Sequence, residues 1–348
     1  MKMFIFPCCL GSLALFCVGC NPPESTSTPV TETAPAEETQ QLTIHGSDGA
    51  YSIMFSPDGG TLASANRDKT VSLWDIQTRQ QSAQLTGHRF LAFSLAFSPD
   101  GNFLASAGDD YHMKKGEILI WDLSTKQVRK NLETQNVYFS FVCFSPDGKT
   151  LASAGPRSSI TLWDVETWTQ KGVLEPHSNE VRCLDFSPDG KLLAAGVSHY
   201  NRKTQQAEVK LWNLESGKEI GTLEHRWSIE TVCFTADSKT LTVEDEGQVI
   251  LWDVESLQHR QVIDTLATNS SRVAISPDGD LLAMCRKNSL SLNQTKTGNQ
   301  LATIPANQHF GRPSFSPDGK LLAWPTSAPG EPIGLWDLTR LKPLVVSP

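Results

Sequence analysis

The chain has 348 residues, 39% hydrophobic and 20% charged, the balance of an ordinary globule, which excludes extensive disorder and a multi-span membrane protein. Its formal charge is −8. Lys2, Glu24, Glu32, Glu37 and Glu38 all precede residue 42, so the remainder carries 29 basic against 34 acidic side chains; a mildly acidic body repels polyphosphate and argues against nucleic acid as a partner.

The chain opens MKMFIFPCCLGSLALFCVGC: Lys2, a mainly apolar run, then small residues before Cys20, the three-part layout of an export signal. The run is too short and too interrupted for a comfortable transmembrane helix. Its end, Cys17-Val18-Gly19-Cys20, resembles a bacterial lipoprotein cleavage box, with Cys17 where that family usually has leucine. The resemblance implies that residues 1–19 are removed, that Cys20 is lipidated, and that the protein sits in the cell envelope facing periplasm or exterior. Asn21, being uncharged, implies an outer rather than an inner membrane. The alternative is an uncleaved short anchor, which also tethers the chain outside the cytoplasm. A redox reading of Cys17 and Cys20 needs a folded helix start that an apolar leader does not offer. From Cys20 to residue 41 the sequence CNPPESTSTPVTETAPAEETQQ has one large apolar side chain, Val30. Such a segment buries too little surface to fold and is expected to act as a linker spanning roughly 25 Å.

From residue 47 onward the chain repeats itself. FSPDG begins at Phe55, Phe97, Phe144, Phe186 and Phe315, with variants at Phe234 and Ile275, so the starts lie 42, 47, 42, 48, 41 and 40 residues apart. A second mark follows each: LWD or a close variant at Leu73, Ile120, Leu162, Leu211, Leu251 and Leu335, whereas the sixth copy reads Leu292-Asn293. In Ser-Pro-Asp-Gly, proline presets φ, aspartate bonds back to the chain and glycine accepts positive φ, which predicts a hairpin. Each copy parses into four short strands with turns every eight to twelve residues, an all-β pattern. One such sheet leaves both faces wet, so the copies must stack.

These motifs resemble the WD-repeat β-propeller family over residues 42–348. The resemblance implies an all-β, seven-bladed β-propeller of four-stranded antiparallel blades. An open ring would expose a strand edge; Gln41 to Gly46 reads like the fourth strand and exit loop of later copies and is expected to complete the last blade, in competition with LKPLVV near the C-terminus. The resemblance also implies a buried Trp, Ser, His and Asp chain in each blade: His45, Ser64, Asp68 and Trp74 in the first, His88, Ser106, Asp110 and Trp121 in the second. A buried indole N–H needs an acceptor, and a hydroxyl can pass the bond to imidazole and carboxylate. The set looks like a catalytic triad, but its serine points at tryptophan inside a blade, so the structural reading prevails and no catalytic residue is expected. Copies three to six lose members: Gln135 replaces histidine, Ala195 and Val243 replace the hydroxyl, and the sixth lacks nearly everything. Stability is expected to decline toward the sixth.

Cys143, Cys183, Cys233 and Cys285 occupy like faces of equivalent strands and read as buried packing groups rather than bridges or metal ligands. No HExxH, GxSxG or phosphate-binding glycine loop occurs, and no metal or cofactor is expected. What varies between copies is loop length: Asp109 to Glu117, Ser198 to Glu208 and Pro325 to Pro332 are insertions on one rim. On that rim Arg89-Phe90, Arg226-Trp227 and His309-Phe310 pair an aromatic with arginine or histidine, the usual composition of a contact hot spot; Tyr111 and Tyr200 join them. The expectation is a monomeric, lipid-anchored, non-catalytic scaffold binding a protein partner or envelope component through this rim. The alternative is a hydrolase or lactonase-like propeller enzyme with its site in the axial channel. That would require converging Asp, Glu, Asn or His, where the inner strands open mostly on apolar residues.

Overall fold

The computed structural model describes residues 41–44, 49–110, 115–134, 141–154, 159–174, 180–197, 207–225, 228–245, 248–264, 272–286, 289–305, 311–325 and 333–340. The chain divides into two units, residues 1–37 and 38–348. The first, with the leader, Cys20 and most of the linker, lies outside the described residues, among which no helix is long and apolar enough to cross a membrane.

The second unit is a propeller of seven four-stranded antiparallel sheets. The first blade runs Ala50–Phe55, Thr61–Asn66, Val71–Asp75 and Gln81–Leu85, in chain order from the axis outward. The inner strands that follow are Leu91–Phe97, Phe141–Phe144, Val181–Phe186, Ile229–Phe234, Arg272–Ile275 and Ser314–Phe315. In the last blade the outer place belongs to the start of the chain. Gln41–Ile44 pairs with Ile333–Asp337, Gln41 opposite Trp336 and Ile44 opposite Ile333, so the ring closes as the QLTIHG resemblance predicts.

The turn motif forms as its chemistry dictates. Ser56 Oγ donates to Asp58 Oδ1 at 2.6 Å and accepts from Thr61 N at 2.9 Å, while Asp58 accepts from Gly60 N. Gly59 takes φ 73°, and its equivalents hold φ between 70° and 78° in every blade but the fifth, where Ser238 is forced to 59°. The turn aspartates are held below the ordinary carboxylate range by these bonds; for Asp318, Ser316 and the Lys320 amide bring the pKa to about 2.

The apolar core is a ring of interfaces. Ala63, Val71, Leu73 and Leu85 of the first blade pack on Ala92, Leu95, Leu104 and Trp121 of the second, and Ala323, Ile333 and Leu335 of the last pack on Ile53, Leu62 and Trp74 of the first. Each buried Leu- or Val-sized side chain contributes about 1.5–3 kcal/mol, and no blade can collect that alone. In the seventh blade, Trp324 stands where the first three blades place serine and covers Gly334, where a Cβ would lie 1.9 Å from the indole. All four described cysteines are free, Cys183 and Cys285 buried, Cys143 and Cys233 part-buried.

Candidate functional site

In the second blade Trp121 Nε1 donates to Ser106 Oγ at 2.7 Å, and Ser106 Oγ lies 2.6 Å from His88 Nε2. The carboxylate on His88 Nδ1, at 2.9 Å, is Glu117; the side chain of Asp110 lies outside the described residues. In the first blade Trp74 Nε1 donates to Ser64 Oγ at 2.9 Å, but Ser64 donates on to Asn66 Oδ1 at 2.9 Å. Asp68 is a correction to the sequence expectation: it is exposed and accepts from the amide and hydroxyl of Thr70. His45 lies outside the described residues.

The reason is strand periodicity. In the first blade the residue four beyond the hydroxyl, Asp68, lies past the end of the strand in the turn, whereas the residue two beyond shares the hydroxyl's face. That place holds Asn66 in the first blade and Asp245 in the fifth. In the second it is Gly108, where a Cβ would meet Leu91 O at 2.8 Å, and its partner across the ladder, Glu117, fills the space.

Glu117 also carries the rim. Fully buried, it accepts from Arg89 N at 2.7 Å and from Arg89 Nε at 3.1 Å. Burial raises its pKa, but the bonds from His88 and Arg89 overcome this and bring it down to about 2. Arg89, 56% exposed, lies 5.6 Å over the Phe90 ring, and Lys69 Nζ donates to its carbonyl. Of the three rim pairs read from the sequence, Arg89-Phe90 is the one among the described residues, and it is thus fixed from beneath. Tyr111, Tyr200, Arg226, Trp227, His309 and Phe310 lie outside the described residues.

The hub was missed by sequence reasoning. Inner strands bulge at the same place in four blades, freeing Tyr51, Phe93, Arg182 and Glu230 from pairing. Tyr51 and Phe93 meet at 5.0 Å between centroids. Arg312, entering the seventh blade, reaches across the axis: its guanidinium sits 5.0 Å over Phe141 of the third blade, and Nη2 donates to the Glu230 carbonyl of the fifth at 3.3 Å. Asp185, in the wall, accepts from Phe234 N at 2.7 Å. Burial pushes its pKa up to about 7, against the pull of that amide and of Arg312. The sequence signal was position: each bulged residue stands four before the aromatic of the turn motif. The inner strands therefore open on more charge than the sequence suggested. Among the described residues no group of three or more His, Cys, Asp or Glu could hold a metal.

Comparison with known proteins matches the family "WD domain, G-beta repeat" over residues 37–75, 79–122, 127–164 and 168–213. The chain is 33% identical over 81 residues to apoptotic protease-activating factor 1 of Mus musculus, covering 20% of this chain and 6% of that protein. It is 35% identical over 85 residues to the Protein LST8 homolog of Drosophila melanogaster, covering 22% of this chain and 27% of that one. The chain thus matches only a small part of each relative. Among solved structures, Kuenenia stuttgartiensis hydrazine synthase superposes with a TM-score of 0.74 at 18% identity, over 89% of this chain and 99% of that one, a likeness of fold alone. The chain is a β-propeller of seven four-stranded blades, and four of its repeats, between residues 37 and 213, match the WD domain, G-beta repeat model.

Proposed function

We propose that the protein is a non-catalytic platform, exported and lipid-anchored at Cys20, that binds a protein partner or envelope component through the rim carrying Arg89 and Phe90. The observation that carries this reading is the Glu117 clamp: a fully buried carboxylate holds an exposed arginine and its neighbouring ring in one geometry, so little side-chain freedom is lost on contact. Repeats of this family commonly serve protein interaction. Replacing Phe90, Trp227 and Phe310 together by alanine is expected to abolish capture of the partner from a membrane extract with the melting temperature nearly unchanged; undiminished capture would refute the reading. The anchor has its own test. Mass spectrometry of the mature N-terminus is expected to find a lipid on Cys20, and Cys20→Ala to shift the protein into the soluble fraction. The rival, a hydrolase or lactonase-like enzyme working at the hub, predicts stoichiometric metal in the purified protein or turnover lost on changing Asp185.

A further inference from the structure

Direct contacts join the first two blades along one line, from the channel mouth to the rim. At the mouth, a bulge in each inner strand releases Tyr51 and Phe93 from their ladders and re-aims them. The two rings meet at 5.0 Å between centroids, with Phe93 37% exposed. Arg67, exposed in the turn between the second and third strands of the first blade, stands 5.8 Å over the Tyr51 ring. Two residues on in the same turn, exposed Lys69 crosses to the second blade, where its Nζ donates to the Arg89 carbonyl at 3.0 Å. Arg89 in turn lies over Phe90. Rings therefore stand at both ends of the line and cations between them.

The acids beside this line are engaged or withdrawn. Asp68, between the two cations of the turn, accepts from the Thr70 amide and hydroxyl through Oδ1 and from Gln84 Nε2 at 3.4 Å through Oδ2. Glu117 is buried beneath Arg89 and bonded to it and to His88. Asp109, opposite Leu91 in the ladder, is half-buried. Exposed charge along the line is thus Arg67, Lys69 and Arg89 against Asp68, a positive strip on a mildly acidic body. A lysine ammonium carries three donors, so Lys69 can hold a carboxylate while it keeps the Arg89 carbonyl. Charge of opposite sign on a partner is steered to such a strip and set in register by it. Aromatic rings beside arginine supply the anchoring contacts.

We propose that this strip binds an extended acidic segment of a partner protein, with carboxylates on Arg67 and Lys69 and an aromatic or large apolar side chain on Tyr51 and Phe93. The proposal rests on the platform reading and supplies the chemistry of its partner.

Fluorescence anisotropy of labelled peptides titrated with the purified full-length protein tests it. The probe carries glutamates on either side of one phenylalanine, and its two controls replace the glutamates by lysine or the phenylalanine by alanine. The acidic ring-bearing peptide is expected to saturate a single site, more weakly as salt rises. Its affinity should fall about fivefold in the double variant Arg67→Gln, Lys69→Gln and about fivefold or more in Phe93→Ala. Lys149→Gln, in a turn at the other end of the strands, should leave it unchanged. No saturable binding at millimolar concentration, equal binding of either control, or insensitivity to the double variant with wild-type melting would overturn the proposal. So would tighter binding of a peptide of residues 21–41, whose Glu24, Glu32, Glu37 and Glu38 would make the occupant this chain's own acidic segment. If the probe fails while alanine at Phe90, Trp227 and Phe310 abolishes capture, the proposed chemistry is wrong and the platform stands; if capture persists in that variant, the platform itself falls.

Discussion

The second and fifth blades bury the same pair of rings in the same place, and only the second connects them. In the second, one serine lies between indole and imidazole at 2.7 and 2.6 Å. In the fifth, Val243 takes that position, fully buried, and the Trp252 Nε1 and His225 Nε2 on either side of it have no hydrogen-bond partner among the described residues. The rings still approach, 5.4 Å between centroids, edge to face, and His225 Nδ1 still meets Asp245 at 3.1 Å. The difference teaches that ring packing and the carboxylate contact survive without the hydroxyl, while continuity of the polar chain does not. The chain is an element of the scaffold that some blades complete and others do without.

Ser106→Val recreates the fifth-blade arrangement and leaves two buried groups unpaired, each costing about 1–3 kcal/mol. Denaturant unfolding should show a loss of roughly 2–6 kcal/mol on that basis; a loss within error would mean the serine is incidental. Glu117→Gln should cost less, about 1–3 kcal/mol, because the amide still accepts one bond, and should loosen the rim as read by faster amide exchange at Arg89 and Phe90.

The same carboxylate gives a pH signature. Its folded pKa of about 2 lies below the ordinary value of 4.5, so the stability it contributes is present above pH 4.5 and is lost as pH falls toward 2. Glu117→Gln should flatten that acid limb. Asp185 acts with the opposite sign. Raised to about 7 from 3.8, it holds its proton longer in the folded state, so rising pH between these values removes stability, and Asp185→Asn should abolish that decline. A decline persisting in the asparagine variant would assign it to another group.

Val243→Thr keeps the shape and supplies the missing hydroxyl, with an expected gain of about 1 kcal/mol in the same unfolding assay. Destabilisation would show that the fifth blade has packed around the gap in a way the second has not.

The turn motif and the LWD mark carry the whole fold in plain view, because proline, aspartate, glycine and tryptophan each act through local geometry. Ring closure was legible too, since Gln41–Ile44 copies the outer strands of later blades. The polar chain was legible at Trp and Ser, whose strands have fixed register, and misread at its acidic end: Asp68 falls in a turn, and Glu117 reaches His88 only because glycine opposite it leaves room. That space is a property of two strands together, which no linear spacing displays. The hub was hidden for the same reason. Arg312 gains its meaning by crossing to Phe141 and Glu230, residues 171 and 82 positions away in the chain.

Native-state hydrogen exchange, read blade by blade, tests most directly whether the polar chain holds each blade together. Amides of Leu104–Gly108 in the second blade should be the best protected, those of Leu241–Asp245 in the fifth less so, and those of Leu281–Cys285 in the sixth, where Asn293 replaces tryptophan and its Oδ1 has no partner among the described residues, the least. Slower exchange in the sixth blade than in the second would contradict the account.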